Sequence, residues 1–164
     1  VASAPGEGST FTFRLRSGWP EPRPDGLLAA IEGAIPEDAR DVLMVDEDQA
    51  LLGVVARQLL SAGIPVRTAS TVRQGLEQAR ARPPALIMLD LRFPDGDGFA
   101  LVRELSSDER LSATPLLVYT ARDLSEADRE RLSLGEKRFL IKSQATEQEL
   151  LRAVRELCGS REAS

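Results

Sequence analysis

From Arg40 onward the chain alternates between compact apolar runs and longer amphipathic stretches. The runs Asp41–Val45, Val66–Ala69, Ala85–Leu89, Pro115–Tyr119 and Arg138–Ile141 are mostly β-branched or leucine-rich. They lack the polar alternation of a half-solvated strand and so predict five strands buried on both faces. Between them, helices are predicted over Gln49–Ala62, Thr71–Arg82, Gly98–Leu105 and Ser125–Leu134, with a last one from Thr146 to about Cys158. In the first, Leu51, Leu52, Val55, Leu59 and Leu60 share one side and Gly63 supplies the stop. Pro83-Pro84 ends the second and Gly135 the fourth, while Thr146-x-x-Glu149 forms a capping box for the fifth. Strict alternation of strand and helix predicts an α/β domain with a parallel sheet covered on both faces.

The first forty residues follow a different pattern. Phe11, Phe13 and Leu15 alternate with polar residues, as one half-buried strand would, and a single strand cannot bury its own apolar face. Trp19-Pro20-Glu21-Pro22-Arg23-Pro24-Asp25-Gly26 reads as an extended linker, because its prolines fix φ and remove donors. Leu27–Ile35 has the makings of a short helix that Pro36 ends. The expected organisation is a strand remnant over 1–17, a Pro-rich linker over 18–38, a domain over 39–160 and a tail over 161–164. The opening Val1, in place of Met, suggests a processed form or an excised piece.

Composition narrows the function. The 164 residues, 42% of them hydrophobic, suffice for one domain with a sizeable core plus tails. No apolar run approaches the roughly 18–20 residues that cross a bilayer. The lack of a basic-then-apolar leader makes the cytoplasm the expected compartment. The lone Cys158 cannot form an internal disulfide and fits a reducing environment. A net charge of −5 argues against nonspecific DNA binding. The absence of histidine excludes Ser-His-Asp hydrolysis and HExxH metal sites, and a single cysteine excludes all-cysteine zinc sites. It also means that a phosphohistidine must come from another chain or segment.

Polar residues end or follow the apolar runs in a telling order: Asp46 and Glu47, then Asp90, then Thr120, then Lys142. Right-handed crossovers place every strand-to-helix loop at the same edge of a parallel sheet, so all five share one rim. Acid pair, acid, hydroxyl and amine together suit a phosphoryl acceptor. Taken singly, each has a plainer role. Asp46-Glu47-Asp48 could cap a helix with dipole-favourable acids, Asp95 and Asp97 are turn residues, Phe139 is core, and Lys142 alone would be a solvated strand-end lysine.

With those residues in view, Arg40–Gly159 resembles a response-regulator receiver domain of two-component signalling. The resemblance is carried by VLMVDED, LIMLDLRFPDGDGF, LLVYTA and GEKRFLIKS, with Asp90, Thr120 and Lys142 spaced 30 and then 22 residues apart. It implies a flavodoxin-like doubly wound sheet of order 2-1-3-4-5, whose crevice between strands one and three puts Asp46 and Glu47 beside Asp90. It further implies that Asp90 is the phosphorylated aspartate. Asp46, Glu47, Asp90 and the backbone carbonyl of Arg92 would hold Mg²⁺, Thr120 and Phe139 would act as switch residues, and Lys142 would offset phosphoryl charge. The expected donor is a histidine kinase or a histidine-phosphotransfer domain. Two carboxylates about 4 Å apart repel by about 4 kcal/mol at an effective dielectric near 20, so such a cluster calls for a cation. Mg²⁺, which uses one or two carboxylates plus phosphate and waters, meets that need.

Two positions depart from the family's usual pattern. Glu47 is one methylene longer than the commoner aspartate, and Ser143 stands where the family usually has a proline with a cis bond. A cis bond to serine costs about 2.5–4 kcal/mol, so Lys142–Ser143 is expected either strained and cis or relaxed and trans. At the amino terminus, GEGSTFTFRL is similar to the last strand of a histidine-kinase ATP-binding domain. Together with the receiver it implies the carboxy-terminal part of a hybrid sensor kinase. That piece lacks the ATP-site motifs and is not expected to bind ATP, nucleic acid or a membrane. The receiver would catalyse its own phosphorylation and dephosphorylation, any output passing through partners or the parent kinase. Two alternatives compete: a phosphohydrolase of the haloacid-dehalogenase type using Asp46 and Asp48, and an inactive pseudo-receiver that serves as an interaction module.

Overall fold

The computed structural model describes residues 41–93 and 96–159. The expectations for 1–38, the tail 161–164 and the Pro94-Asp95 turn lie outside the described residues.

Five parallel strands form in the predicted places: β1 Val42–Val45, β2 Val66–Ala69, β3 Leu86–Leu89, β4 Leu116–Thr120 and β5 Lys137–Ile141. Their spatial order is β2-β1-β3-β4-β5, as the resemblance implied. β1 is an interior strand, pairing Val42–Val45 with Val66–Ala69 on one side and with Leu86–Leu89 on the other. The helices are α1 Gln49–Ser61, α2 Val72–Ala81, α3 Gly98–Ser106, α4 Glu126–Arg131 and α5 Glu147–Gly159.

Successive strand side chains point to opposite faces, and the core divides accordingly. Val42, Met44, Leu86, Met88 and Leu117 meet Leu52, Val55 and Leu59 of α1 and Leu150, Val154 and Leu157 of α5. Leu43, Val45, Ile87, Leu89, Leu116 and Val118 meet Ala79 of α2 and Leu101, Val102 and Leu105 of α3. Both faces are therefore dry, which explains the nearly all-apolar strands.

Local signals set the element ends. Asp48, Thr71, Asp97 and Ser125 accept backbone N–H bonds at the starts of α1 to α4. The box at α5 is reciprocal: the Thr146 N–H donates to Glu149 Oε2 at 2.8 Å and the Glu149 N–H to Thr146 Oγ1 at 3.3 Å. Gly63, at φ 77°, turns the chain out of α1. Two findings depart from the pattern-based reading. First, α4 stops at Arg131 rather than Leu134: Leu132 leaves helical geometry so that it and Leu134 can reach the core, where they are 0% and 6% exposed. Second, a two-residue antiparallel ladder joins Arg92–Phe93 to Gly96–Asp97.

Gly98 follows this ladder at the start of α3, pressed against the chain that leaves β3. A Cβ there would lie 2.7 Å from Leu91 Cα and 2.8 Å from the Asp90 carbonyl oxygen. Both are backbone atoms that cannot rotate aside. Gly98→Ala is expected to destabilise by about 1–3 kcal/mol, the usual penalty for overpacking. A urea titration giving an unchanged midpoint would show that the segment bearing Asp90 yields freely.

Candidate functional site

The site forms where backbone pairing runs one residue past the strands. The Asp46 N–H donates to the Ala69 carbonyl at 3.1 Å, the Asp90 N–H to Val45 at 2.9 Å and the Lys142 N–H to Thr120 at 2.8 Å. The sheet register thus carries Asp46, Asp90, Thr120 and Lys142 to one rim, as right-handed crossovers required.

Their side chains converge. Lys142 Nζ donates to Asp46 Oδ2 and to Asp90 Oδ2, each at 2.6 Å. The other oxygens are held locally, Asp46 Oδ1 by the Asp48 N–H at 2.9 Å and Asp90 Oδ1 by the Leu91 N–H at 2.6 Å. The two carboxylates are 1% and 3% exposed, while the Lys142 side chain keeps 17% of its surface. Thr120 is buried, and its Oγ1 makes no hydrogen bond among the described residues. A buried hydroxyl without a partner is costly, and its place at the end of β4 suits a group that waits for an acceptor. The Lys142–Ser143 bond is trans, the relaxed alternative.

Burial dominates the electrostatics. It pushes the Asp46 carboxyl up from its ordinary 3.8, and the hydrogen bonds from Lys142 and the Asp48 N–H only partly offset the rise. Burial alone would depress the Lys142 amine, but the hydrogen bonds to Asp46 and Asp90 outweigh it and the net shift is upward from 10.5. One ammonium therefore faces two carboxylates, and the pocket is left short of one positive charge.

That deficit bears on the metal. Among the described residues no three acidic, histidine or cysteine side chains gather into a ready-made cage. Asp46 and Asp90 stand as a pair; Glu47 follows Asp46 in the chain, but its side chain is exposed and does not complete a group of three with them. A carboxylate pair that shares a single ammonium still fits Mg²⁺, which rarely uses an all-protein cage. Asp48 Oδ1 accepts from the Leu51 N–H at 3.0 Å, so Asp48 serves as the α1 cap. The hydrolase alternative, which needed Asp48 beside Asp46, loses its support. Asp97, expected as a turn residue, is the cap of α3 and accepts from the Phe99 N–H.

Phe139 lies half-buried on β5, beneath the Arg129 guanidinium at 5.1 Å from the ring centroid. Sequence reasoning did not find Arg129. Its signal, an arginine in a helix next to the β4 loop, has nothing distinctive until the fold is known.

The model of the response regulator receiver domain family matches residues 42–155, and the chain belongs to that family. It is 36% identical over 102 residues to the KDP operon transcriptional regulatory protein KdpE of Escherichia coli, spanning 62% of this chain and 44% of that protein. It is 38% identical over 109 residues to the transcriptional regulatory protein GltR of Pseudomonas aeruginosa, spanning 64% and 43%. The chain thus spans less than half the length of these curated relatives. Among solved structures, the Vibrio cholerae chemotaxis protein CheY4 aligns at TM-score 0.65 and 26% identity, covering 71% of this chain and 97% of that one. The receiver domain of the sensor histidine kinase PA1611 from Pseudomonas aeruginosa PAO1 aligns at TM-score 0.65 and 25% identity, covering 74% and 98%. That structure has a magnesium ion coordinated in its active-site cleft.

Proposed function

We propose that the domain accepts a phosphoryl group from a phosphohistidine onto Asp90 and changes conformation in response. The observation that carries this reading is the convergence of Asp46 and Asp90 on the Lys142 ammonium, 2.6 Å from each, beside the unpartnered Thr120 hydroxyl. Asp90 Oδ2 attacks phosphorus, an O–P bond forms as the N–P bond of the donor breaks, and the imidazole leaves and takes up a proton. Lys142 moves part of its hydrogen bonding to the incoming oxygens, countering charge where it accumulates. Thr120 then donates its hydroxyl to a phosphoryl oxygen, drawing the β4–α4 loop inward. Phe139 follows into the space released, a population shift between two packings.

Asp46, Glu47, Asp90 and the Arg92 carbonyl are the proposed Mg²⁺ ligands. Magnesium bound there would offset the remaining negative charge on the acceptor and the transferring group. The likeness to the magnesium-bound PA1611 receiver supports this assignment. The donor class is a histidine kinase or histidine-phosphotransfer domain. GEGSTFTFRL, together with the likeness to a sensor kinase's receiver, supports an origin in a hybrid sensor kinase. A cytoplasmic location accords with this, and no helix among the described residues is long and apolar enough to cross a membrane. The net charge of −5 over the 164 residues supports the proposal that the receiver segment itself makes no nucleic-acid contact.

Incubation with acetyl phosphate and Mg²⁺, followed by intact-mass measurement, tests the reading. The wild type is expected to gain one acid-stable, base-labile phosphoryl group and Asp90→Asn none. Equal labelling of the two would overturn the assignment of Asp90. An unlabelled wild type would favour the interaction-module alternative.

A further inference from the structure

The fourth helix has an unusual attachment. None of the six residues of α4 is buried. Leu124 before it and Leu132 after it are anchored at 7% and 0% exposure, so the helix is tethered at its ends and lacks an apolar face of its own. Two arginines lie over aromatic rings instead. Arg131 sits 4.2 Å from the centroid of Phe99, which is 7% exposed in α3, and Arg129 sits 5.1 Å from that of Phe139.

Arg129 makes more than the ring contact. Its Nε donates to the Leu124 carbonyl at 3.2 Å and its Nη2 to Asp123 Oδ1 at 3.2 Å. One planar guanidinium therefore ties the loop that follows Thr120 to the ring of Phe139 across the strand. Thr120, Leu124, Arg129 and Phe139 also line a common cavity of about 490 Å³, so the loop has space to move. By contrast, Arg131 contacts a ring that is not part of the proposed switch.

We propose that Arg129 is a positioning residue that holds the β4–α4 loop and Phe139 in the resting arrangement, so that phosphorylation at Asp90 must break its shared contact. This rests on the phosphoacceptor reading given above. When Thr120 moves towards Asp90, Asp123 and Leu124 move with it, and a guanidinium bound to both cannot keep its place over Phe139. A partly exposed cation–ring contact biases such an equilibrium by about two- to fivefold. Removing it raises the loop-in population, and with it the rate of phosphoryl uptake, by that factor.

The test compares Arg129→Met, which keeps an unbranched stem, with Arg131→Met, which removes the other clip. Two measurements are made on each: acetyl phosphate labelling with Mg²⁺, and amide hydrogen exchange over residues 121–125 without any phosphodonor. Arg129→Met is expected to label about two- to fivefold faster and to exchange faster over 121–125, with Arg131→Met close to wild type in both. The effect of Arg129→Met should largely vanish in a Phe139→Leu background. Wild-type exchange and labelling in Arg129→Met would overturn the proposal, as would equal changes in Arg131→Met, which would mean general loosening of α4. If the wild type fails to label at Asp90 while exchange responds to Arg129→Met alone, the clip stands and the phosphoacceptor reading falls.

Discussion

Replacing Asp41 with alanine is expected to cost about 3–5 kcal/mol of folding stability, although Asp41 lies at the edge of the sheet opposite the site. Its carboxylate is 1% exposed and paired with both Arg67 and Arg82. Arg67 holds it by a two-point contact, Nε to Oδ2 and Nη2 to Oδ1, and also donates to the carbonyls of Gln78 and Arg82 at 3.0 and 2.8 Å. The network joins β1, β2 and the end of α2. The Arg67 side chain is only 9% exposed, so Asp41→Ala leaves a buried cation without its carboxylate, the circumstance in which losing one partner is most damaging. Removing Asp41 and Arg67 together is milder, because a buried ion pair replaced by apolar groups is often neutral and the remaining Arg82 side chain is 25% exposed. Chemical denaturation of Asp41→Ala and of the double variant Asp41→Leu/Arg67→Met provides the check. A loss under 1 kcal/mol in the single variant, or an equal loss in both, would show that the network is structurally idle.

That network shows where reading the sequence stops. Strand and helix order was legible because burial on both faces leaves a local signature: five apolar runs separated by amphipathic stretches. The site's rim was legible too, since Asp46, Asp90, Thr120 and Lys142 each stand directly at the end of a run and the crossover rule gathers them. Asp41 and Arg67 gave no such sign. Each begins or interrupts an apolar strand as an isolated charge, and only the parallel register, which places Leu43 opposite Arg67, brings them within reach. The end of α4 escapes the sequence pattern for a related reason. Leu132 and Leu134 continue an apolar pattern, yet they are buried by leaving the helix. Gly135 then passes so close to the Ala113 and Thr114 carbonyls that a Cβ would sit 2.6 and 2.8 Å from them. Two-residue strands such as Arg92–Phe93 are too short to show any periodicity. The arginine clips on Phe99 and Phe139 depend on tertiary placement alone.

Lys142→Met is expected to destabilise the domain by about 3 kcal/mol at neutral pH, and the loss should shrink as the solution is acidified. The magnitude is that of removing one partner from a buried ion pair, taken at its lower end because the Lys142 side chain is 17% exposed. The pH dependence follows from the direction of each shift. In the wild type the Lys142 pKa is raised, so its contribution is fully present below the ordinary 10.5 and is lost only as pH rises through the higher folded value. Asp46 is also raised, so the folded state favours its protonated form. Its contribution is present below 3.8 and lost as pH climbs through the folded value. Without Lys142 the largest influence that holds Asp46 down, the hydrogen bond from that ammonium, disappears together with its charge while the Asp48 N–H bond remains, and the window of loss moves to higher pH. The variant should therefore be weakest relative to wild type near neutrality and recover towards it as Asp46 takes up a proton. Mg²⁺ should restore more stability to the variant than to the wild type, because the carboxylate pair then lacks any competing cation. Thermal melts across a pH series, with and without Mg²⁺, decide the matter. A deficit that does not change with pH would mean that Lys142 acts through packing of its stem and not through its charge.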